Sequence, residues 1–138
     1  MNPAKRSMAV AGILLVLGMA AHAQKAPPER ELGVPIYPDA TLLESFTEGP
    51  TARYLFGSND ITISVARFYE QKTGKTPHRI QAPDGTETYR FVLKGEPEAA
   101  LPDLEVRVNH YPGGFTIPDE VGRTRHYSTT ILISKKTR

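Results

Sequence analysis

Ser58-Asn59-Asp60-Ile61-Thr62-Ile63-Ser64-Val65-Ala66-Arg67-Phe68-Tyr69-Glu70-Gln71-Lys72-Thr73-Gly74 is the stretch on which the fold turns. Read as a helix, it places Ile61, Val65, Phe68 and Lys72 at spacings of four, three and four, with Tyr69 beside Phe68, which makes one apolar stripe. Ser58, Asn59 and Asp60 offer side-chain oxygens to the free N–H groups of a first turn, and Gly74 can take the left-handed conformation that ends a last one. Ile61-Thr62-Ile63-Ser64-Val65 pulls the other way, because it alternates and is β-branched at four of five positions, as a strand would be. Phe68 and Tyr69 decide for the helix: adjacent aromatics face opposite sides of a strand, but lie about 100° apart on a helix and can flank one buried stripe.

The rest of the chain reads as strand. Residues 41–47 and 52–57 flank the turn Glu48-Gly49-Pro50, and residues 78–82 and 87–93 flank Pro83-Asp84-Gly85-Thr86, whose Asp-Gly pair tolerates positive φ. Residues 104–111 alternate up to Pro112-Gly113-Gly114, residues 115–122 make a connection, and residues 124–135 form a last strand. One helix with an apolar stripe suits a sheet that is apolar on one face. The expected class is therefore α+β, a two-layer arrangement of one helix packed on an antiparallel sheet in the order β-β-α-β-β-β-β. Strands pairing in chain order would leave Arg90, Lys94, Glu105, Arg107, Asn109, His126, Ser128 and Thr130 on the reverse face.

Before this domain, residues 1–23 read as an export signal: Lys5 and Arg6, an apolar run from Ala9 to Ala21, then Ala21-His22-Ala23 as a cleavage site. That apolar run is shorter than the roughly 20 residues that span a bilayer, so no membrane span is expected in the mature chain, and a periplasmic or secreted location is. Residues 24–32, with Pro27-Pro28, are expected to be a flexible arm, and residues 33–138 one domain. Lys5 and Arg6 account for the whole excess of 17 basic over 15 acidic residues, so the mature chain is neutral and nucleic acid is disfavoured as a partner. The chain has no cysteine and its three methionines all precede residue 24, which removes disulfides, thiol chemistry and soft-metal sites.

Gly33-Val34-Pro35-Ile36-Tyr37-Pro38-Asp39-Ala40, then Leu55-Phe56-Gly57-Ser58-Asn59-Asp60 and the pair Phe68-Tyr69, resemble a group of small exported bacterial domains of unassigned function. These share a Gly-x-Pro-x-Tyr-Pro-x-Ala opening and a helix carrying Phe-Tyr. The resemblance covers residues 33 to about 75 and implies a single helix on an antiparallel sheet; it brings no catalytic residue with it. Ile61-Thr62-Ile63 departs from it, where an acidic first turn is expected. Tyr37 is expected to be a packing aromatic rather than a ligand contact.

No constellation declares a chemistry. His78, His110 and His126 have no His-x-x-x-His spacing, and period-two counting sends His110 and His126 to different sides of the sheet, so no metal is expected. Ser128 lies two residues from His126, but no Gly-x-Ser-x-Gly elbow or triad order appears, and Asp119-Glu120, Glu96 and Glu98 sit in loops. No phosphate-binding or dinucleotide fingerprint appears, and no cofactor is expected. The first functional reading is a non-catalytic accessory domain that works by contact with a protein or envelope component, with Arg90, Arg107 and Tyr111 as the contact face. A second is a carrier of a small apolar ligand, held in a gap lined by Tyr54, Phe56, Tyr89 and Phe91. A third is a hydrolase whose site carries no recognised motif.

Overall fold

The structure, a computed structural model, describes residues 26–119 and 121–137; the expected export signal lies outside them. Two compact units divide the chain, the larger drawn from residues 24–116 and 126–138, the other including Ile117–Arg125. In chain order the elements are α1 (Glu29–Leu32), β1 (Thr41–Glu48), β2 (Thr51–Ser58), α2 (Thr62–Thr73), β3 (His78–Gln81), β4 (Glu87–Lys94), β5 (Leu104–His110), β6 (Phe115–Pro118), β7 (Thr124–Tyr127) and β8 (Thr129–Lys136). A six-stranded sheet runs β1-β2-β8-β5-β4-β3, and β6 with β7 makes a two-stranded ribbon. Within Ile117–Arg125, Asp119 Oδ1 accepts the N–H groups of Val121 and Arg123 at 3.0 and 2.8 Å, which closes the turn.

This overturns the α+β two-layer reading and its order β-β-α-β-β-β-β. The described chain is mostly β, runs α-β-β-α-β-β-β-β-β-β, and does not pair its strands in sequence. Three local causes account for the difference. Gly113 and Gly114 both take positive φ, 81° and 85°, so the chain doubles back and residues 115–118 become a strand instead of a connection. Ser128 is a bend, so the single last strand expected over residues 124–135 is two strands in different sheets. Glu29–Leu32, expected within an extended arm, is one helical turn closed by Gly33 at φ 82°, with Leu32 buried.

β8 sits at the centre because its sequence can be buried on both faces. Thr129-Thr130-Ile131-Leu132-Ile133 is nearly continuous in β-branched and apolar residues, the composition of an interior strand. It pairs antiparallel with β2 (Phe56 opposite Ile131, Tyr54 opposite Ile133) and with β5 (Val108 opposite Ile131, Val106 opposite Ile133). Phe56, Phe91, Val106, Val108, Ile131 and Ile133 are buried in one cluster with Val65, Ala66 and Tyr69 of α2 and with Leu32 and Val34. Each fully buried side chain of this kind stabilises the fold by about 1.5–3 kcal/mol, and with no disulfide this cluster is the main source of stability.

α2 stands where the Phe-Tyr argument puts a helix, but its buried stripe is Thr62, Val65, Ala66 and Tyr69, turned from the expected Ile61, Val65, Phe68 and Lys72. Ile61 is 63% exposed. Two hydrogen bonds set the rotation: Thr62 Oγ1 meets Thr129 Oγ1 at 2.9 Å, and Tyr69 Oη donates to the Pro35 carbonyl at 2.9 Å. Ile61 occupies the cap position, with no side-chain hydrogen bond to the first turn, while Gly74 ends the helix at φ 70° and donates its N–H to the Glu70 carbonyl. Phe68, off the buried stripe, takes the ring of Tyr37 edge-on at 5.1 Å, and Tyr37 Oη donates to the Asp60 carboxylate. The proline-rich segment is thereby clasped to the start of α2, and Tyr37 is a packing residue.

Candidate functional site

The register of the central strands brings a set of polar side chains together at one end of the sheet. Ser58 of β2 lies opposite Thr129 of β8, and Asn109 of β5 lies opposite Thr130. The next residue outward on each strand, Asn59, Ser128 and His110, must therefore emerge at the same end. His126 joins them because the bend at Ser128 takes β7 off the sheet. These residues and the Gly113-Gly114 turn line an open cleft of about 250 Å³, with the buried Tyr127 beneath. His110 and His126, expected on different sides of the sheet, share this cleft. Period-two counting missed it because it took residues 124–135 as unbroken.

Gly57 helps to shape the cleft's base. A Cβ there would lie 2.7 Å from the Tyr127 ring, so only glycine lets that ring settle against β2. Among the described residues, the side chains of Asn59, His110, His126 and Ser128 make no hydrogen bond within the fold. The inner polar residues next to them do: Thr88 Oγ1 donates to Asn109 Oδ1 at 2.7 Å, and Asn109 Nδ2 donates to Thr130 Oγ1 at 3.3 Å.

The expected contact residues lie elsewhere and have structural partners. Arg90 Nε donates to Glu105 Oε1, and its two terminal nitrogens donate to the carbonyls of Pro97 and Ala99 at 2.8 and 2.9 Å. Arg107 Nε donates to the other carboxylate oxygen of Glu105 at 2.8 Å. Glu105 is buried, so the pair of guanidiniums neutralises a charge that would otherwise be left in a dry site. Tyr111 lies past the end of β5, its ring 5.7 Å from that of Phe115. A hollow of about 510 Å³ is lined by Lys75, Thr76, His78, Arg90, Val92 and Glu98. The aromatics expected to line a ligand gap are core: Phe56 and Phe91 are buried, and Tyr54 and Tyr89 pack against them.

Two features of β1 escaped the sequence reading. It is an eight-residue strand at the edge of the sheet, and its register puts Glu44, Phe46 and Glu48 on one side, opposite Leu55, Arg53 and Thr51. Glu48 pairs with Arg53 at 3.2 Å. Glu44 is part-buried, burial pushes its carboxyl pKa up, and among the described residues it has neither an ion pair nor a hydrogen bond. Phe46 is 41% exposed between the two carboxylates. No group of three or more His, Cys, Asp or Glu suited to a metal occurs among the described residues, and none of their helices is long and apolar enough to cross a membrane. Comparison with protein-family models, with curated proteins and with solved structures found no match.

Proposed function

We propose that this chain is a non-catalytic accessory domain of the periplasm or extracellular space that works by contact with another protein, and that β1 receives an extended cationic segment of that partner. The observation that carries the reading is Glu44: a partly desolvated carboxylate with no ion pair costs stability in the free domain, and an incoming lysine or arginine would offset that cost. β1 is an edge strand, and strand addition would supply main-chain hydrogen bonds on its outer side, with alternate side chains setting specificity. Glu44, Phe46 and Glu48 on one face suit a partner strand with basic residues four positions apart and an apolar residue midway between them, all three on the same face. Pairing of β1 with a second copy would set carboxylate rows against each other on one face, which disfavours a homodimer through this edge.

The test is fluorescence anisotropy of the full chain with a labelled peptide, Thr-Lys-Thr-Val-Thr-Lys-Thr, beside a matched peptide with glutamate in place of both lysines. The lysine peptide binds, the glutamate peptide does not, and Glu44→Lys weakens binding tenfold or more. Glu44→Gln also weakens binding but raises the melting temperature at pH 7. The sign follows from the raised pKa: the protonated form is favoured in the fold, and that advantage is lost as pH rises past it. Failure of the lysine peptide to bind, or equal binding of the two peptides, overturns the reading.

A further inference from the structure

We propose that the cleft where β2, β5 and β8 end is a binding site for a small oxyanion, a phosphate or sulfate group, held by His110, His126, Asn59 and Ser128. The site is separate from the β1 edge and does not depend on it. Each of the four side chains can donate an N–H or O–H, and among the described residues none uses that capacity within the fold, although their inner neighbours Thr88, Asn109 and Thr130 are hydrogen-bonded to one another. Strand register brings His110, Asn59 and Ser128 to the same end of the sheet, and the bend at Ser128 adds His126 to them.

Charge and size narrow the ligand. No carboxylate lines the cleft, and the nearby Asp60 carboxylate is held by Tyr37. An anion entering it meets no fixed negative charge and at least one donor on each of the four side chains, and imidazoles gain positive charge when they take up a proton. Its volume, about 250 Å³, falls below the roughly 300–1,000 Å³ of pockets that enclose a drug-sized molecule, so it suits a single tetrahedral group. A bound transition metal would need three or four ligands, and the two imidazoles have no third His, Cys, Asp or Glu beside them among the described residues.

The experiment is an NMR titration of the full chain with inorganic phosphate and, separately, with glycerol 3-phosphate, following the imidazole resonances of His110 and His126 and the amides of Gly113 and Gly114. Saturable shifts confined to these groups are expected. His110→Ala and Asn59→Ala each weaken binding fivefold or more without changing the far-UV circular dichroism, both residues being exposed. Saturation by inorganic phosphate with no gain from the ester identifies a free anion, while tenfold tighter binding of the ester identifies the head group of a larger molecule. Absence of saturable shifts with both anions, undiminished binding in the double variant, or saturation of the imidazoles by zinc when neither anion binds would overturn the proposal.

Discussion

Tyr37 shows how one residue can read correctly in type and still hide its partner. An aromatic flanked by two prolines in a segment that cannot be helical is expected to anchor that segment by packing, and its ring does meet Phe68. The hydrogen bond to Asp60, 23 residues away, was not legible, because nothing in local sequence ties a phenol to a distant carboxylate. That bond, with burial and the Asp60 charge, pushes the Tyr37 pKa up to about 12, and burial raises that of Tyr69 further. Both folded-state values lie above the unfolded tyrosine value of about 10, so the stability they contribute is present below pH 10 and is lost as pH rises from there. Denaturant melts at pH 8, 10 and 11 should show falling stability over that window, and Tyr37→Phe should flatten the fall. Glu105 illustrates a second limit. An alternating strand places it on the reverse face, where solvation is the default, yet it is buried between two arginines. Arg90→Ala should cost about 3–5 kcal/mol by leaving the carboxylate buried beside a single, more exposed partner. Arg107, a third exposed, should cost about 1 kcal/mol when truncated. Chemical denaturation of both variants checks the difference.

Among the elements, α2 was legible and its rotation was not. Adjacent aromatics and a glycine stop are local signals, whereas the buried stripe was set by Thr129 and Pro35, both remote in sequence. A threonine on the core side of a helix has little meaning until its partner is known. β7 and β8 show the opposite failure: period-two alternation continues smoothly through Ser128, so a bend there leaves no mark on the pattern. The clue available was composition, since residues 129–133 look like an interior strand and residues 124–127 do not. Gly57, within a strand, was a further clue that another group approaches closely. Gly57→Ala should displace the Tyr127 ring from β2 and cost about 1–3 kcal/mol. Loss of melting temperature, together with shifted resonances at His126 and Ser128 but not at Tyr37, would show that the effect is local to the cleft.

At the scale of the whole sheet, β8 is the joint between two halves. Among the described residues, β1 and β2 on one side and β5, β4 and β3 on the other are hydrogen-bonded into one sheet through β8, so the sheet is not continuous until the last strand arrives. A chain lacking residues 129–138 should therefore lose cooperative unfolding altogether, and the full chain should unfold in one transition seen alike by far-UV and tyrosine near-UV circular dichroism. Two separate transitions in the full chain would contradict this. By itself the sequence determined the strand-rich character, the position of α2, the reliance on an apolar core without sulfur, and the turns at Gly74, Gly85 and Gly113-Gly114. These follow from local sterics and from periodicity, which act over a few residues. Tertiary structure alone decided strand order, the depth of Glu105, the unmatched carboxylate on the edge strand and the meeting of His110 with His126. Each of these depends on which strands become neighbours, and hydrogen-bonded pairing of β-strands is set by the burial of whole faces across the chain, which no local pattern encodes.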